Sequence, residues 1–291
     1  MSAQPIIRVE LLGGLGNQLF QAAAGYALAR RLGGALQFDI SRFRAKSSRA
    51  FALEGLAHGG VVVESGAGQR LAARAWRRLS FGQAIAPPGW KGSAFREASY
   101  AYDPRFEAIS GSCFLSGYFH SEKYFKGFEA DLRRSLDLGP LVTEKARALA
   151  ASMPERSLAV HLRIGDFTQS QFSAVHGTLA PRYYRDAIAL ACAARGIERI
   201  YVFTDTPDAI PALMPEGVAY EAVTGNPAHD DLWLMSRARH HIIANSTFSW
   251  WSAWLDDRPG KLVIAPRAWL APEALKKTYI GDLYPEGWVM L

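Results

Sequence analysis

Apolar residues follow two rhythms along this chain: short unbroken runs, and longer segments in which they return every three or four positions. The first run, Ile6 to Leu12, predicts a buried strand. Gly13, Gly14 and Gly16 predict a turn, and Asn17 to Leu32 a helix with Leu19, Ala23, Ala27 and Tyr26 near one face. Ala35 to Phe38 predicts a second strand, ended by Asp39. Cys113 to Gly117 reads as another strand, and Glu122 to Leu136 and Val142 to Ala151 read as helical.

The pattern restarts after Met153-Pro154. Strands are predicted at Ser157–Leu162, Ile200–Thr204, His241–Ala244 and Leu262–Ala265, alternating with helices at Arg182–Ala194, Asp230–Ala238 and Phe248–Leu255. That alternation implies parallel sheets wrapped by helices. Two α/β domains are expected, residues 1–150 and 151–291, and ligands in such sheets bind where strands end and helices begin. From Arg42 to Trp90 the pattern loosens into loops and short elements. Within it, QRLAARAWRRL carries Arg70, Arg74, Arg77 and Arg78 on one helical face and Trp76 near the other. Such a helix suits an anionic membrane surface or plain solvent.

Composition narrows the field. In 291 residues, 49% apolar content is ample for a packed core, and a net charge of +6 favours anionic partners without calling for nucleic acid. Cys113 and Cys192 lie in apolar contexts without metal-ligand spacing, so they read as buried thiols in a reducing compartment. No secretory leader and no apolar run of about 20 residues is visible, which leads to the expectation of a cytoplasmic protein.

Four strand ends carry candidate chemistry. Gly14-x-Gly16-x-x-Leu19, with Asp39 downstream, approximates a dinucleotide fingerprint, but Leu19 stands where the third glycine belongs. A tight turn with Asn17 as polar cap explains the same residues. In AVHLRIGDF a buried strand stops at His161, Arg163 and Asp166; an arginine fork can grip two oxygens of a diphosphate, or Arg163 and Asp166 can form an internal ion pair. YVFTDT ends in Asp205, able to accept from guanine or ribose or to cap a helix. IIANSTFSWWSAWL runs from a strand through Asn245, Ser246 and Thr247 into a helix opening at Phe248, an anion site in form. Neither a strand-end Asp-x-Asp pair nor a phosphate-binding Gly-x-x-x-x-Gly-Lys loop is present, so the set suits a nucleotide diphosphate held without a metal.

The ordered set GGLGNQLFQ, SGYFHSEKYF, HLRIGD, FTD and DDLWLMSRARHHIIANSTFSWWSAWL, followed by IAPRAW, resembles glycosyltransferase family 11, the α-1,2-fucosyltransferases, over residues 8 to 270. The resemblance implies a GT-B type α/β architecture, two Rossmann-like domains facing across a cleft, the first mainly for the acceptor and the second for GDP-fucose. It implies inverting transfer of L-fucose to the 2-hydroxyl of a galactose-terminated glycan, with neither cofactor nor divalent metal. By the same resemblance Arg163 grips the diphosphate and His161 helps place the nucleotide. Asn245, Ser246, Thr247 and Phe248 receive phosphate and fucose groups, Asp205 lies near guanine or ribose, and the loop of Gly16 and Asn17 meets the donor.

Asp166 is the first choice of general base, ahead of His161, Glu10 and Asp39. Ile164 and Phe167 stand where the family carries Arg and Tyr. Two other classes stay open on the sequence: a sugar-nucleotide-binding protein that has lost catalysis, marked by Ile164, and an NAD-type oxidoreductase built on the first turn. The basic helix near Trp76 fits a peripheral contact with the inner membrane face.

Overall fold

The computed structural model describes residues 4–43, 49–64, 88–164 and 177–291. The chain divides into two compact units, one of Met1–Asp137 with Gly281–Leu283, the other of Leu138–Ile280 with Tyr284–Leu291. Both are α/β, each built on one sheet.

In the first unit β1 (Ile6–Glu10) leads into α1 (Leu15–Leu32), then β2 (Ala35–Asp39), β3 (Val61–Val63), β4 (Ser93–Arg96), β5 (Cys113–Ser116) and α2 (Glu129–Ser135). The strands form one parallel sheet in the order β3-β2-β1-β5-β4. Helix α1 lies close on this sheet because Gly25 has no side chain: a Cβ there would stand 2.3 Å from a Val9 methyl. Gly25 therefore supplies the close helix–strand approach that a dinucleotide fingerprint assigns to its third glycine.

The second unit opens with α3 (Glu144–Ser152), followed by β6 (Ser157–Leu162), α4 (Pro181–Arg195), β7 (Arg199–Thr204), α5 (Ile210–Leu213) and β8 (Glu221–Val223). It continues through α6 (Ala228–Arg237), β9 (His240–Ile242), α7 (Thr247–Leu255), β10 (Val263–Ala265), α8 (Pro272–Leu275) and β11 (Val289–Met290). Its parallel sheet runs β11-β10-β9-β6-β7-β8. Every residue of β6 is buried, as expected of a central parallel strand covered on both faces. Leu158, Val160 and Leu162 pack with Val202, Ile242 and Ile264 against Tyr184, Ala187 and Ile188 of α4. Each such aliphatic side chain contributes roughly 1.5–3 kcal/mol by leaving water.

Two expectations are corrected. The division falls at Asp137/Leu138 rather than at residue 150, because α3 belongs to the second unit. Its capping residue Thr143 donates through its backbone N–H (3.1 Å) and its hydroxyl to the buried carboxylate of Asp230 in α6. Cys113 is buried as expected, whereas Cys192 is exposed, on the outer face of α4. The predicted basic helix around Trp76 lies outside the described residues. Among those described, no helix is long and apolar enough to cross a membrane.

Candidate active site

In the six-stranded sheet β6, β7 and β8 follow one another outward, after which the chain returns to place β9 on the other side of β6. The carboxyl ends of β6 and β9 therefore flank a topological switch point, where open α/β sheets bind ligands. The second, third and fourth strand ends singled out in the sequence belong to β6, β7 and β9, around that point.

His161 and Arg163 leave the end of β6, and Asp205 that of β7. Leu162 pairs with Thr204, so one step further Arg163 comes beside Asp205. Its Nη1 donates to Asp205 Oδ2 at 2.6 Å, with the two side chains 18% and 34% exposed, partly screened from water. This pair orients the guanidinium, whereas the Arg163–Asp166 pairing weighed in the sequence involves a residue outside those described.

His161 is buried, and among the described residues its Nδ1 meets no hydrogen-bonding partner. Burial, reinforced by the Arg163 charge, lowers its pKa to about 3, so the imidazole is neutral at physiological pH. Its ring lies 5.8 Å from that of Phe248.

Ser246 caps α7, its hydroxyl accepting from Phe248 N–H at 3.3 Å, while Thr247 and Phe248 are partly exposed at the helix start. Behind them Trp250, Trp251 and Trp254 are buried in a ring cluster. Asn245 is buried, and its amide donates to the carbonyls of Gly177 (3.2 Å) and Trp269 (3.3 Å). That side chain fastens the turn after β9 to two neighbouring segments. Asp166 lies outside the described residues.

Asn17 and Gly16 belong to the first unit, in the opening turn of α1. The helix starts at Leu15 with Gly14 as N-cap and no side-chain cap, so Asn17 is not the capping residue. Its Oδ1 lies 3.2 Å from His120 Nε2. The neighbouring Gln18, fully buried, donates to the carbonyls of Gly13 and Ala50 and accepts from Ala52 N–H, each at 2.9 Å. The Asn-Gln pair thus divides its work: Gln18 fastens the loop and Asn17 faces His120.

The model of the glycosyl transferase family 11 matches residues 90–291. The chain belongs to that family. Among its relatives is an alpha-1,2-colitosyltransferase of Escherichia coli, 28% identical over an alignment of 297 positions that covers 98% of this chain and 99% of that protein. The O-antigen biosynthesis glycosyltransferase WbnK, also of Escherichia coli, is 36% identical over 117 residues, 39% of each chain.

The fold of this family 11 member is that of solved fucosyltransferase structures. POFUT1 in complex with GDP superposes with a TM-score of 0.53 at 16% identity, covering 89% of this chain and 98% of that one. A variant of Arabidopsis thaliana FUT1 in complex with GDP gives 0.51 at 12% identity, over 90% and 70%. Two parallel-sheet units of this kind are the GT-B type architecture expected from the sequence. Tyr118, His120 and Glu97 of the first unit were not singled out in the sequence, although the first two lie in its SGYFHSEKYF segment.

Proposed function

We propose that this glycosyltransferase moves L-fucose from GDP-fucose to the 2-hydroxyl of a galactose residue in a glycan, with inversion and without a divalent metal. The observation that carries the reading is the convergence, at one switch point, of the Arg163–Asp205 pair, the neutral His161 and the start of α7. Breaking the anomeric C–O bond leaves the electron pair on the GDP diphosphate. A preorganised guanidinium and a helix N-terminus stabilise that developing charge. His161 offers the nucleotide a neutral hydrogen-bonding nitrogen, a role for which a buried imidazolium would be too costly. The sugar passes through an oxocarbenium-like transition state, so leaving-group stabilisation carries much of the catalysis.

A second donor is favoured by one observation, the full-length similarity to an alpha-1,2-colitosyltransferase. Colitose is L-fucose without its 3-hydroxyl, and both would arrive on GDP.

The test is GDP release from GDP-L-fucose and from GDP-colitose, each with a panel of β-galactosides and with EDTA present, and linkage analysis of the product. Transfer of fucose to O2 supports the first reading. Preference for GDP-colitose replaces it by the second. Binding of either donor without GDP release under any acceptor would identify a non-catalytic binding protein and overturn both.

A further inference from the structure

The five-stranded sheet also reverses its order, between β1 and β5, and at that reversal lies a cavity of about 330 Å³. It is lined from the carboxyl ends of β1, β4 and β5, the position at which α/β sheets bind ligands. Its volume falls at the small end of the ~300–1,000 Å³ of ligand sites.

One wall is aromatic. The rings of Tyr118 and His120 stack 5.1 Å apart, and Tyr100 stands 5.3 Å from His120. Tyr118 keeps 41% of its surface exposed, unusual for a large ring held in a stack. Beside the wall stand Glu10, Arg42 and Arg96.

The turn carrying these rings is held against a local cost. Phe119 has φ +56°, a left-handed conformation that strains a non-glycine residue. Gly117 is packed so closely that a Cβ would stand 2.5 Å from that of Glu97. Glu97 Oε2 accepts from the backbone N–H groups of Tyr118 (2.7 Å) and Phe119 (2.8 Å). Burial pushes this carboxyl up to about 7 in spite of those bonds. A costly buried acid beneath a strained turn is an arrangement that fixes the rings above it.

We propose that this cavity is a saccharide subsite for the acceptor: Tyr118 is the platform on which a galactoside ring stacks, Glu10 and Arg42 bond its hydroxyls, and Glu97 is the positioning residue that holds the platform. The C–H face of a galactose ring matches an aromatic face, and its hydroxyl edge needs acceptors and donors together, which a carboxylate and a guanidinium supply. Arg42 stands 3.6 Å from Glu10, so its charge is offset by a carboxylate at the point where a ring's hydroxyls would lie, an arrangement that suits a polyol better than a phosphate. The assignment of the sugar as acceptor rests on the transfer reading above; the cavity as a saccharide site does not.

Two arms separate them. In saturation-transfer NMR with methyl β-D-galactopyranoside and the full chain without donor, wild type shows a signal that Tyr118→Ala abolishes. In steady-state kinetics Tyr118→Ala raises the acceptor KM about tenfold while the donor KM stays within about twofold. Glu97→Ala has the same effect, whereas Glu97→Gln, which keeps an accepting oxygen, restores the acceptor KM to within about threefold of wild type. An acceptor KM unmoved by Tyr118→Ala, or protection of the cavity by phosphate alone, overturns the proposal and leaves the transfer reading intact. A Tyr118-dependent NMR signal in a protein that cleaves neither GDP-sugar supports the cavity and sinks the transfer reading.

Discussion

Each unit places a reversal of strand order beside its first strand, yet the two reversals are furnished differently. At the β6/β9 switch stand a guanidinium, an imidazole kept neutral and a helix start. At the β1/β5 switch the lining is an aromatic wall with acids and bases side by side. On the two proposals above, one architecture serves once for an anion and once for an uncharged polar surface. The strand order sets where a ligand goes, and the residues at and just past the strand ends set its chemistry.

The largest expected effect tests the anion side. Arg163→Ala should lower kcat/KM by about 10²–10³, the usual loss when a preorganised donor to a leaving group is removed. Arg163→Lys should recover only part of it, since an ammonium cannot reproduce the planar fork. A loss below tenfold for the alanine variant would remove the basis for separating the two switch points.

The next concerns stability of the second unit alone. His241 Nε2 donates to Asp256 at 2.9 Å and Arg258 Nε at 2.7 Å, with the His241 and Asp256 side chains buried. Burial opposes ionisation of Asp256, but the bonds from His241 and Arg258 hold its carboxyl well below the usual range. Burial holds His241 below its ordinary value as well. Both folded pKa values are lowered, so the unfolded chain binds more protons and stability falls as the pH drops below about 6.5, then further through the carboxylate range. Asp256→Ala should cost about 3 kcal/mol in urea unfolding at pH 7 and flatten that acid dependence. An unchanged midpoint would show that the pair carries no net stability.

Asn17→Ala addresses the first unit. It should reduce kcat/KM about tenfold, less than the loss from Arg163→Ala, because Asn17 offers a neutral group. Equal losses from the two would mean that Asn17 contributes as much to transfer as the arginine does.

The smallest effect is on Glu97. Its folded pKa is raised to about 7 by burial, so the stability that its neutral form contributes is complete below the unfolded value near 4.5 and is lost as the pH rises through 7. Glu97→Gln should therefore raise Tm at pH 8 by about 2–4 °C and leave it nearly unchanged at pH 5. A gain of the same size at both pH values would assign the effect to packing instead.

Much of the second unit was legible because its central strands are covered on both faces, which leaves unbroken apolar runs such as Ser157–Leu162. The short edge strands β8 and β11 escaped notice: Glu221 and Ala222 are exposed, and Val289–Met290 is a strand by pairing with β10 rather than by pattern. Arg163, His161 and Asp205 could be picked out singly, since polar residues at the end of an apolar run are conspicuous. That Arg163 and Asp205 face each other depends on the β6/β7 register. The cavity of the first unit was hidden for a further reason: Glu10, Glu97 and Tyr118 come from three strand ends far apart in sequence, and only the β4-β5-β1 order assembles them.

One short segment constrains how this chain can be taken apart. Gly281–Leu283 counts with the first unit although the residues on either side count with the second. There Asp282 accepts from Tyr102 N–H at 2.9 Å and pairs with Lys123, while Leu283 is fully buried. A scissile bond placed at Asp137/Leu138 would therefore leave the leading fragment incomplete, without a tripeptide patch supplied from residues 281–283. To express the first unit alone, an engineer would have to graft those three residues back onto it.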